Sequence, residues 1–138
     1  VNEILYAVNV EKRDKGFSIT VVATLERDGN NYIFKPYNLE IDNIPRPNQT
    51  IKSRGLPSIA ARRLYSRRRP DIQNILGKYG LDHYDAWELL KRTKGKLATD
   101  NVIYLTEDEL KSIKGSPDII SFFGLEDSAT SERYEIYP

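Results

Sequence analysis

Cysteine and methionine are missing from this chain, and histidine and tryptophan occur once each, as His83 and Trp87. The lack of cysteine rules out disulfides and any thiolate metal site. One histidine excludes a multi-histidine metal centre. No apolar run approaches the ~18 residues of a membrane-spanning helix. The opening stretch VNEILYAVNVEKRD has neither a basic n-region nor a long apolar h-region, so no signal peptide is expected and the cytoplasm is the default location. Methionine is absent even at position 1, which fits a removed initiator or a segment of a longer protein; the segment is the expectation. Between residues 43 and 70 there is no acidic side chain at all.

What is present describes a folded domain. The 138 residues are 39% hydrophobic and 30% charged, a globular composition of a size that fits one core. The net charge is only +1, but it is unevenly spread. Residues 1–50 carry −1, residues 51–100 carry +7 and residues 101–138 carry −5. Such asymmetry points to an electrostatic partner, or to an acidic tail that neutralises a basic block within one molecule.

The first forty residues read as strands. EILYAVNV (3–10) is rich in β-formers. In GFSITVVATLE (16–26), Phe17, Ile19, Val21, Ala23 and Leu25 alternate with Ser18, Thr20, Val22, Thr24 and Glu26, predicting one buried and one solvated face. KRDKG makes a turn between these two runs. RDGNN (27–31) carries the Asp-Gly hairpin signal, and NYIFKPYNLEI returns as a third strand that Pro36 places at an edge or ends early. Residues 42–57, with Pro45 and Pro47, read as a linker.

Helical patterns follow. Ser58 is the expected N-cap of a helix reaching about Tyr65, and Pro70 ends it or opens the next. PDIQNILGKYG (70–80) places Ile72, Ile75 and Leu76 at helical spacing, with Gly80 as the stop. Asp82, with Asp85 three residues on, is expected to cap a helix through Trp87, Leu89 and Leu90 that ends at Gly95. NVIYL (101–105) reads as a strand, and Thr106 with Glu109 forms a capping box for EDELKSIKG. PDIISFFGLE is ambiguous, and RYEIY is a candidate last strand. The fold class is α+β: an antiparallel meander of about three strands with three to four short helices on one face, in a single domain over 1–138. Within it, 1–41 is strand-rich, 42–57 the linker, 58–96 helical and basic, and 97–138 mixed and acidic.

The densest feature is AARRLYSRRRP (60–70). Clustered arginines suit phosphate, which a guanidinium can grip through two hydrogen bonds. Tyr65 among them could stack on an unpaired base. The candidate binding residues are therefore Arg62, Arg63, Tyr65, Arg67, Arg68 and Arg69, with Lys52 and Arg54 extending the positive track. Arg63, and Arg67 if the helix continues, fall on the same helical stripe as Leu56, Ile59, Ala60 and Leu64, so either their stems snorkel, or they pair with the acidic tail, or the helix ends before Arg67. A solvated or internally paired basic helix is the alternative to a nucleic-acid or acidic-protein contact.

Catalytic constellations do not assemble. Neither G-x-x-x-x-G-K-[ST] nor G-x-G-x-x-G occurs, and His83 has no motif-defined nucleophile. Glu109-x-Lys111 mimics the end of a metal-nuclease signature, with Asp71 or Asp100 as the missing carboxylate, but first-turn capping accounts for these acids. A non-enzymatic role without cofactor is expected, and Trp87 is expected in the core.

One resemblance adds to this reading. The strand ILYAVNV, the charged hairpin LERDGNNYIFKPYNLEI, the break IPRP and the helix AWELLKRTKGKL make residues 3–97 similar to the region preceding the ATPase core of some bacterial SWI2/SNF2-type helicase-like proteins. The resemblance implies an accessory domain that touches DNA or packs on a motor. It transfers no catalytic residue. The expected function is a non-catalytic nucleic-acid-binding accessory domain, DNA before RNA, with docking to an acidic protein as the alternative and a metal-dependent nuclease as a remote one.

Overall fold

The structure, a computed structural model, describes residues 2–14, 16–37, 50–97 and 101–113. It is α+β, with five antiparallel strands and four short helices among the described residues. The strands are β1 (Glu3–Arg13), β2 (Gly16–Asp28), β3 (Asn31–Pro36), β4 (Ile51–Ser53) and β5 (Val102–Leu105), in spatial order β4-β3-β2-β1-β5. The helices are α1 (Ser58–Ala61), α2 (Ile72–Lys78), α3 (Ala86–Thr93) and α4 (Glu107–Ile113). The expected PDIISFFGLE and RYEIY elements lie outside the described residues.

The β2–β3 hairpin closes as Asp28-Gly29 predicts. Asp28 pairs Asn31 across a two-residue loop, and Gly29 takes φ 62°, the left-handed conformation a tight hairpin needs. Pro36 is the last residue of β3, where its missing N–H costs no ladder bond. The region read as a linker holds a strand: β4 pairs with β3 through Tyr32↔Ser53, Ile33↔Lys52 and Phe34↔Ile51. Three residues are too few to show an alternation in sequence.

The strict alternation of β2 does not survive. Ala7 pairs Ala23, but Val8 pairs Val21, so Val22 is an extra residue in a β-bulge. Val22 and Ala23 both turn toward the larger core, with Leu5, Ala7, Leu25 and Phe34. Beyond the bulge, Val21 and Ile19 pack instead with Val8, Ile103 and Leu105 on the opposite face. One inserted residue thus moves half of the apolar run to the other side of the sheet.

Both faces are consequently covered. α1, α2 and α3 bury Ile59, Ala60, Ile72, Ile75, Leu76, Trp87, Leu89 and Leu90 against the first face. α4 buries Leu110 and Ile113 against the second. The expected face holds three of the helices; the fourth sits opposite, because all four side chains of β5 are buried and alternate strand residues point both ways.

The caps explain where the helices begin. α3 starts one turn later than the expected Asp82 cap: Asp85 is its N-cap and accepts from the Glu88 N–H at 3.1 Å. It ends at Lys94 (φ 62°) and Gly95 (φ 59°). At Gly95 a Cβ would meet Leu90 Cδ1 at 2.8 Å, so glycine is needed there for space as well as for conformation. Gly80, at φ 75°, follows α2 as the sequence predicts. The Thr106–Glu109 capping box forms reciprocally: Thr106 N donates to Glu109 Oε1 at 2.9 Å, and Glu109 N donates to Thr106 Oγ1 at 3.3 Å.

Candidate nucleic-acid interface

The basic block is built on a short turn of helix, not on a long one. α1 stops at Ala61, four residues before the expected end, and its cap residue is Pro57, with no side-chain cap bond. The chain then turns through 62–71 to Asp71, the N-cap of α2. Pro70 disfavours αR at Arg69, so the turn does not run on as a helix into α2, and burial differs from one arginine to the next.

The block divides by burial. Arg62, Arg67 and Arg68 are exposed. Arg63 is only 3% exposed, and its Nη1 donates to Gly95 O at 2.9 Å and Val102 O at 3.2 Å. Its guanidinium lies 5.8 Å from the centre of the Tyr104 ring. Arg63 is therefore a core tie between α1, the end of α3 and β5, which corrects the expectation that it contacts phosphate. Its place on the Ile59–Leu64 stripe was the sequence signal for this. Tyr65 is corrected likewise: at 1% exposure its ring is enclosed in the core and offers no stacking face to a base.

Arg69 is half-buried, 5.5 Å from the centre of the Tyr65 ring, and ion-paired to Asp71 by a two-pronged contact, Nε–Oδ1 2.8 Å and Nη2–Oδ2 2.6 Å. This hydrogen bonding holds the Asp71 carboxyl below the ordinary carboxylate value. The pair braces the turn from inside the block.

Arg67 makes a third arginine–ring contact in the block. Its guanidinium carbon lies 4.5 Å over the centre of the Tyr84 ring. The Tyr84 hydroxyl donates to Tyr65 O at 2.6 Å, which fixes the ring. Partial burial pushes the Tyr84 hydroxyl above its ordinary pKa, opposed by the Arg67 charge, so it stays a protonated donor. Tyr84 was not a sequence candidate; it lies 17 residues from Arg67, and no local spacing signals the pairing. Lys52 is exposed on β4, and Arg54 is exposed in the bend that leads to α1.

The acids of the remote nuclease reading are committed elsewhere. Asp71 holds Arg69, and Glu109 serves the α4 capping box and the Lys94 ammonium. Lys111 pairs with Glu107 at 3.3 Å on the same helix. Asp100 lies outside the described residues. Among the described residues no cluster of three or more His, Asp or Glu side chains could hold a metal ion. His83 is exposed beside Asp82, with Nδ1 and Oδ1 2.6 Å apart. No helix among the described residues is long and apolar enough to cross a membrane.

Comparison with protein-family models, curated proteins and solved structures finds no match to this chain.

Proposed function

We propose that this chain is a non-catalytic nucleic-acid-binding module, accessory to a larger machine, in which Arg62, Arg67 and Arg68 contact phosphates and Lys52 and Arg54 extend the track. The observation that carries the reading is the exposure of these three arginines within one braced turn, in a stretch of chain that has no acid from 43 to 70. The Arg69–Asp71 pair and the buried Arg63 and Tyr65 hold that turn, so presenting the charges costs little ordering on binding. The resemblance to the region before a SWI2/SNF2-type ATPase core supplies the accessory role and puts DNA before RNA. An acidic protein surface is the alternative partner for the same side chains, favoured by the strong charge segregation along the chain.

The test is fluorescence anisotropy with a short labelled DNA across a salt series, using wild type and Arg67→Glu/Arg68→Glu. At roughly −0.9 per contact on duplex, the three arginines predict a log–log salt slope of about −2.7, steepening to about −4.5 with Lys52 and Arg54 engaged. The double reversal should abolish binding. Absence of binding even at low salt would refute the proposal and leave the acidic protein surface as the partner to seek.

A further inference from the structure

The Tyr84–Arg67 contact goes beyond charge. Over the ring the Arg67 guanidinium gains a modest cation–π attraction and is held in place. Here the ring is fixed by its hydroxyl bond to Tyr65 O, and the guanidinium lies over it at 4.5 Å. Arg67 is nonetheless exposed. Tyr84 thus underlies the Arg67 guanidinium without enclosing it. Arg68 is exposed one residue away.

A flat cation backed by an aromatic ring is a platform for another flat π-system. Guanidinium planes stack on nucleobases, and such contacts are open to a base only when it is unpaired and splayed from its neighbours. In a duplex the base faces are already occupied, and a groove-facing arginine would need its N–H edge free rather than its face. Lysine could supply the same charge but not the plane.

We infer that the Tyr84–Arg67 stack is a base-stacking step, so that the ligand class of this surface is single-stranded nucleic acid, with an unpaired base on the outer face of Arg67 and its neighbouring phosphates on Arg68 and Arg62. This rests on the phosphate-binding reading and specifies its substrate. It also moves the stacking role from Tyr65, which is enclosed, to a ring 19 residues further along the chain.

Three labelled ligands of equal length test it: a single-stranded oligodeoxynucleotide, the same strand built with abasic sites, and a blunt duplex. Wild type should prefer the base-bearing single strand by about tenfold over the abasic strand, in line with the worth of one base-stacking contact. Arg67→Lys, a surface change that keeps the charge, should weaken the base-bearing strand far more than the abasic strand or the duplex and so erase most of that preference; circular dichroism confirms its fold. Tyr84→Leu should act in the same direction as Arg67→Lys. Equal affinity for base-bearing and abasic strands, or an unchanged preference in Arg67→Lys, would overturn the stacking inference while leaving phosphate contact intact. No binding to any of the three at low salt would overturn both.

Discussion

Replacing Arg63 by methionine should destabilise the fold far more than the same change at Arg68, although both residues belong to one basic run. Methionine keeps most of the buried stem but donates no hydrogen bond. Gly95 O and Val102 O, which accept from Arg63 Nη1 at 2.9 and 3.2 Å, would then lose a charged donor inside the core. Each such loss costs about 1–3 kcal/mol, and the loss of the Tyr104 contact adds to it. Relief of the buried charge works the other way. A net loss of about 3 kcal/mol follows, which for a domain of this size lowers Tm by roughly 10 °C. Arg68→Met, at an exposed position, should stay within about 0.5 kcal/mol of wild type. Trp87 is the chain's single tryptophan and is 1% exposed, so its fluorescence reports unfolding in urea without a label. Arg63→Lys should fall between, because an ammonium can reach one carbonyl but lacks the planar fork. Coincident unfolding curves for Arg63→Met and Arg68→Met would refute the assignment of Arg63 as a core tie.

Two further outcomes are expected. Gly95→Ala combines a left-handed φ of 59° with a Cβ 2.8 Å from Leu90 Cδ1, and should cost about 2–4 kcal/mol, read by the same urea titration; a loss under 1 kcal/mol would mean that the α3–β5 corner relaxes freely. Asp71, held below its ordinary pKa by Arg69, contributes stability that is present above the unfolded-state value of about 3.9 and is lost as pH falls through the lower folded value; carboxyl NMR should show that depressed midpoint in wild type, and an ordinary midpoint in Arg69→Gln. An unshifted wild-type midpoint would show that the pair does not hold in solution.

Much of the fold was legible because local chemistry decided it. Asp28-Gly29, Gly80 and the Thr106–Glu109 box each act within four residues, and each sits where its pattern indicates. The bulge at Val22 was not legible: an unbroken alternation from Phe17 to Leu25 contains no mark of where one face hands over to the other. What decides it is the presence of apolar layers on both sides of the sheet, α4 on one and α1–α3 on the other, which is a property of the whole chain. The basic block was legible as a block, but its division only in part. Arg63 shares the Ile59–Leu64 stripe, which marks it as facing inward, whereas the acceptors that satisfy it, Gly95 O and Val102 O, lie 32 and 39 residues further along the chain. Tyr84 was invisible for the same reason: its partnership with Arg67 spans a turn, a helix and a loop.

The Arg63 tie also guards a border. β5 is the last strand of the sheet among the described residues, and a terminal strand normally offers its unused backbone groups to any passing extended chain. Val10 N donates to Asn101 O, so residues 101, 103 and 105 turn their backbone toward β1, and 102 and 104 turn theirs outward. Two of those outward groups are taken: Val102 O receives Arg63, and Tyr104 N donates to Lys94 O at 2.8 Å. A corner of α3 and one arginine thus occupy the template on which a second molecule would have to pair. Pairing of a further strand is opposed at these two positions, and a chain that lost Arg63 would free Val102 O to a neighbour as well as weaken its core.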